Sequence, residues 1–257
     1  RYKCEITQIQ FNRCYFKDQD MFIATGRASD FYIDTTKFLM DKYLKARAEG
    51  KNKPDSARAV GLSNAIVDKW IRHVEYDLFL SFKKKNDALE KDLIINGFKD
   101  LKSKEEISEI HDISLRTINE FIKLARRGFE EYMDVLEVYE NMLIPHQIDI
   151  FMKSIVNKPL NKALKDSKIT LDEIEYYYEL GKSENGNFRK FYTDYLDLKI
   201  RLYADTILAN KSSKIAYKNS NLTQDEFREN KDSIDDLILT GRFSIIEDEL
   251  EKHNTIS

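Results

Sequence analysis

After Ser114 the side chains Arg116, Asn119, Lys123, Arg126 and Arg127 follow at intervals of three, four, three and one residues. On a helix that spacing gathers them on one exposed face, the most basic helical stretch in the chain. Guanidinium, ammonium and carboxamide groups in such a row bind anions and the donor and acceptor edges of bases. Arg116 has the fork to take guanine, and Asn119, like Asn64 earlier in the chain, has the paired donor and acceptor that fit adenine. Arg126, Arg127, Lys51 and Lys53 are better placed for phosphates, which add affinity without carrying sequence information.

Catalytic chemistry has less material to work with. His73, His111, His146 and His253 are scattered, with no HExxH and no nucleophile elbow. Cys4 and Cys14 are nine residues apart, too far for a zinc knuckle, so two reduced thiols are expected unless a piece ahead of Arg1 supplies a second cysteine pair. Gly181-Lys182-Ser183 looks like the end of a phosphate loop, but Tyr176 stands where that loop needs its first glycine. The adjacent Asp235 and Asp236 read as a solvated pair. The expectation is no catalytic residue, no metal, no cofactor and no enzyme.

A tight corner must hold the basic face in place, and its clearest form runs from Ala57 to Trp70. Ala57 lets two short helices touch, Gly61 can take the positive φ of a sharp turn, and Ser63 caps the second helix. Leu62, Val67 and Trp70 point into a common core. The pattern returns at Ile113-Ser114 with Ile118, Ile169-Thr170 with Ile174, and Leu222-Thr223 with Phe227. In each case an aliphatic residue precedes a hydroxyl, and an apolar residue follows four positions later. Six residues before the aliphatic stand Ser56, Ile107, Ala163 and Ala216; three after the last apolar position stand Trp70, Phe121, Tyr177 and Asn230. Near-equal offsets of 51, 56 and 53 residues suit a small module of three or four helices.

These residues resemble the helix-turn-helix of DNA-binding proteins, and the tandem arrangement is similar to the small DNA-recognition subunits of phage terminases and to insertion-element transposases. The resemblance implies a second helix in the major groove. It places Ser63, Asn64, Lys69 and Arg72 at the groove in module 1, with Asp68 opposing them, and Ser114, Arg116, Asn119 and Lys123 in module 2.

Eight glycines and three prolines in 257 residues leave a mainly α chain. The organisation read from the sequence is an amino-terminal β-ribbon or irregular segment (1–34), with alternation at Cys4 and Ile6 and at Ile9 and Phe11 and a short run from Met21 to Ala24, followed by modules at 35–91, 92–146, 147–202 and 203–257. A helix is expected from Asp34–Thr36 to Gly50, and Pro145 should break the pattern between the halves. The last module is a cap.

The net charge of −3 hides an asymmetry: residues 1–128 carry 25 Lys and Arg against 20 Asp and Glu, and residues 129–257 carry 17 against 25. The presumptive reading helix of module 3 holds Asp172, Glu173, Glu175 and Glu179 and no base, so phosphate would repel it. Modules 1 and 2 are therefore expected to bind double-stranded DNA, while residues 147–257 serve packing, homo-oligomer or protein contacts. The competing reading is a helical scaffold for protein partners without DNA. No apolar run is long enough for a membrane and no secretory signal is visible, so a cytoplasmic location is expected, nucleoid-associated if DNA is bound.

Overall fold

The computed structural model describes residues 8–254 except 66, 68–75, 184, 185, 187 and 210. The strand expected at Cys4 and Ile6, the positions Asp68, Lys69, Trp70 and Arg72, and the side chains of the series Phe243 to Leu250 lie outside the described residues. Among the described residues the fold is mainly α, without strand. The chain divides into two compact units, residues 1–145 and 146–257, the division falling within Leu143–Gln147.

The first unit opens with α1 (Gln8–Thr25) and α2 (Asp30–Ala48). The ribbon expected over Ile9 to Ala24 is a helix. The alternation at Ile9 and Phe11 is short, whereas Tyr15, Gln19 and Phe22 recur at helical spacing and settle on α2. The Tyr15 hydroxyl meets Thr36 Oγ1 at 2.8 Å, the Tyr15 and Tyr32 rings lie 5.2 Å apart, and Gln19 donates to the Tyr32 hydroxyl. Four residues before the expected start, α2 begins at Asp30, because Ser29 caps it by accepting the Tyr32 amide.

Next come α3 (Lys53–Ala59), capped by Asn52, and α4 (Tyr76–Lys99). Lys83, Lys84 and Lys85 stand inside α4 rather than at a helix end, and Lys85 reaches Asp41 at 2.9 Å. α5 (Lys104–His111) and α6 (Leu115–Arg126) follow, then a 3-10 turn Glu130–Tyr132, α7 (Met133–Val138) and a π-turn Tyr139–Leu143. Pro145 does not end a helix. It is the second residue of α8 (Ile144–Ile155), and the wider π-turn directly ahead makes room for its ring. Ile94, Phe98, Ile107, Ile113, Ile118 and Tyr139 form the core under the second corner, all at 1% exposure or less.

The second unit continues with α9 (Leu160–Ser167), α10 (Leu171–Gly181), α11 (Arg189–Leu208), α12 (Ser213–Ser220), α13 (Gln224–Glu229) and α14 (Lys231–Asn254). Its aromatic stripe is buried within the unit itself: Phe188 against Tyr177 at 4.5 Å, Phe191 stacked on Tyr195, and Tyr195 edge-on to Phe151 at 5.5 Å. The long helices α2, α4, α8 and α11 straddle residues 34/35, 91/92, 146/147 and 202/203, so one helix serves the residues on both sides of each of those positions.

One local geometry occurs at four places. Gly61, Asp112, Lys168 and Asn221 have φ of 74°, 51°, 54° and 55°. Each directly precedes a buried aliphatic, Leu62, Ile113, Ile169 or Leu222. Ser114, Thr170 and Thr223 then accept the amide three residues on, and Glu173 and Glu226 close capping boxes by reaching back. Ser56, Ile107, Ala163 and Ala216 are each fully buried, which is why that position takes only small or apolar side chains. The fourth corner is the loosest: Phe227 is half-buried, and Asn230, in place of an aromatic, donates to the Glu226 carbonyl at 2.8 Å.

Candidate nucleic-acid interface

α6 is strongly two-faced. Ile118, Phe121, Ile122 and Ala125 are buried, and on the opposite side Arg116, Asn119, Lys123 and Arg127 are exposed together with Glu120. Among the described residues no ion pair engages Arg116, Lys123 or Arg127. Arg116 to Arg127 spans roughly 16 Å of helix axis, about five base pairs of a duplex.

The ends of α6 are fixed by backbone. Ser114 caps the start, its hydroxyl accepting the Thr117 amide at 3.1 Å and meeting Thr117 Oγ1 at 2.8 Å. At the far end Gly128, at φ 87°, donates to the Ala125 carbonyl at 2.8 Å and Phe129 to the Leu124 carbonyl at 3.2 Å, a Schellman stop. Beyond that stop Phe129 and Met133 are 54% and 46% exposed, because the stop and the 3-10 turn break the helical phase between them and α6. Tyr132, in that turn, packs its ring tilted against Phe121 at 4.7 Å.

The other expected contacts sort by their surroundings. Ser63 is exposed and Asn64 half-buried, while Lys69 and Arg72 lie outside the described residues. Lys51 is exposed beside Glu49 at 3.4 Å. Lys53 is turned to the buried Glu90 at 3.3 Å, and Arg126 to Glu140 at 3.7 Å, so both have structural partners competing for their charge. In the register of the corners, Ala65 and Asp68 stand where α6 has Arg116 and Asn119. Asp172, Glu175 and Glu179, all exposed on α10, take the places of Arg116, Asn119 and Lys123 with the charge reversed. The same positions in the fourth corner hold Asp225, Arg228 and Asp232, the first two paired at 3.0 Å.

Below the second corner lies a group of residues that no local pattern announces. Arg47, fully buried, donates through Nη1 to the His111 carbonyl and to the Lys51 carbonyl at 3.3 Å, with Nη2 3.7 Å from Glu90. Arg47 Nε and Nη2, Glu90 Oε1 and His111 Nδ1 are buried without a hydrogen-bond partner among the described residues. Burial lowers the pKa of His111 below its ordinary value, and the charges of Arg47 and Lys102 push it the same way. Residues 47, 90 and 111 meet only in the folded chain; the one hint in the sequence was an arginine on the apolar side of α2.

Cys14 is an exposed free thiol. Among the described residues no group of three or more His, Cys, Asp or Glu is placed to hold a metal, and no helix is long and apolar enough to cross a membrane. No protein-family model, curated protein or solved structure matches the chain at a significant level.

Proposed function

We propose that this chain binds double-stranded DNA by laying α6 in the major groove, Arg116, Asn119 and Lys123 facing base edges and Arg127 the backbone. One observation carries the reading: a rigidly capped helix, seated on a buried core, presents a cationic face without ion pairs at the pitch of successive helical turns. A backbone already ordered by its cap and its core loses little further freedom on binding, and counterions released from the phosphates supply the affinity. The first corner contributes less, since Asp68 opposes phosphate and Lys53 is committed to Glu90. The third and fourth corners, acidic or self-paired, stay off the duplex.

Fluorescence anisotropy of the intact chain with a labelled 30-base-pair duplex, titrated at several salt concentrations, tests this. Arg116→Ala and Lys123→Ala should each weaken binding, and Arg127→Ala, which removes a phosphate contact, should flatten the salt dependence by about one unit of slope. Absence of duplex binding at low salt, or unchanged affinity in both the Arg116 and the Lys123 variant, overturns it.

A scaffold for protein partners without DNA is the second reading, favoured by the exposed acidic face of α10 with Tyr176 and Leu180 alongside, both more than two-fifths exposed. It predicts that the intact chain leaves duplexes alone at every salt concentration.

A further inference from the structure

Leu115 is the first residue of α6, 39% exposed, and sits one turn ahead of Asn119 at the edge of the cationic face. At the same place in α10, Leu171 is half-buried. The first turn of a helix laid in the major groove goes deepest among the base edges. The only apolar group displayed there by the bases is the C5-methyl of thymine. We infer that Leu115 is a specificity residue that packs on a thymine methyl beside the base taken by Asn119. The inference rests on the DNA-binding reading above and deepens it by naming a base.

The geometry suits the role. The Ser114 cap and the fully buried Ile118 hold the first turn still, so Leu115 is presented in one place. With 39% of Leu115 exposed, truncation to alanine trims some packing at the rim of the core but leaves the buried Ile113 and Ile118 beneath it in place, so the fold should persist. Ile110, 44% exposed on α5 and outside the cationic face, supplies a control apolar side chain of similar size.

The test compares two duplexes of identical mixed sequence, one with thymine and one with uracil throughout, which differ only by the methyl groups. The intact chain should bind the thymine duplex about fourfold more tightly for each methyl covered, the value of burying one such carbon. Leu115→Ala should lose that preference with its salt dependence unchanged, Leu115→Met should keep it, and Ile110→Ala should behave as the unaltered chain. Equal affinity of the intact chain for both duplexes, or a preference that survives in Leu115→Ala, overturns the assignment of Leu115 while leaving DNA binding in place. Failure to bind either duplex overturns both. Thermal melting by circular dichroism should show Leu115→Ala folding cooperatively with a Tm only slightly below the parent; loss of the cooperative transition would place Leu115 in the core and overturn its role at the bases.

Discussion

Lys199 and Glu226 form an ion pair at 3.3 Å with both side chains more than nine-tenths buried. The carboxylate is the hub of the fourth corner: Oε1 also accepts the Tyr178 hydroxyl at 2.6 Å, and Oε2 closes the capping box on the Thr223 amide at 2.8 Å. Burial alone would raise its pKa, but the Thr223 amide, the Tyr178 hydroxyl and the Lys199 charge outweigh burial and hold it below the ordinary carboxylate value. Lys199 lies over the Tyr178 ring at 4.1 Å. Glu226→Gln should therefore cost about 3 to 5 kcal/mol by leaving a buried ammonium unpaired. Lys199→Met should cost less, since two donors still serve the carboxylate. Urea unfolding of both variants and of the double variant measures this; equal costs would show that Lys199 is not the dependent partner.

Gly97 on α4 lets α5 approach, for a Cβ there would come within 2.5 Å of Ile107 Cγ1. Ile107 is fully buried and cannot swing away. Gly97→Ala should destabilise by about 1 to 3 kcal/mol despite the better helix propensity of alanine. Paired with Ile107→Ala it should cost less than the two single changes together. Strict additivity in urea titrations would remove the contact from the explanation.

Leu101 has φ 58° and is 41% exposed, so its side chain suffers the left-handed conformation with only partial burial in return. Leu101→Gly should raise stability by about 1 kcal/mol, and Gly61→Ala, at φ 74°, should lower it by a similar amount. Opposite shifts in Tm are the expected readout; shifts of one sign would rule out backbone strain as the cause.

His111 makes the first unit acid-sensitive. Its pKa is lower folded than unfolded, so the unfolded chain takes up the proton first as pH falls. The stabilisation is complete above the unfolded pKa of about 6.5 and is lost as pH drops from there through the folded value. His111→Gln leaves the backbone carbonyl available to Arg47 and should flatten that part of the stability profile. An unchanged loss between pH 7 and pH 5 in urea titrations would assign the sensitivity to another group.

What could be read in advance follows from the range of each interaction. The corner rule is local: an aliphatic, a hydroxyl and an apolar residue four on located the left-handed turns before Leu62, Ile113, Ile169 and Leu222 and the caps at Ser114, Thr170 and Thr223, and the period of α6 was enough to expose Arg116, Asn119 and Lys123. Only Gly61 advertised its φ; Asp112, Lys168 and Asn221 adopt the same conformation because the aliphatic after each is pulled into the core. The amino-terminal helix was missed because a five-residue alternation was weighed above the longer spacing of Tyr15, Gln19 and Phe22. Glu90 and His111 lie far along the chain from Lys53 and Arg47 and reach them only through folding, so neither the pairing of Lys53 nor the Arg47 group is legible locally. The exposure of Phe129 depended on where the Schellman stop fell.

At the second, third and fourth corners the apolar residues that seat the second helix, such as Ile113, Ile118, Ile169, Ile174 and Leu222, point inward, so the outward letters of that helix are left to vary. Writing Asp172→Arg, Glu175→Asn and Glu179→Lys on α10 should transplant duplex affinity into residues 146–257 with little change in melting temperature. A gene that duplicates such a corner need alter only three codons to turn a polyanion reader into its electrostatic opposite, or back again.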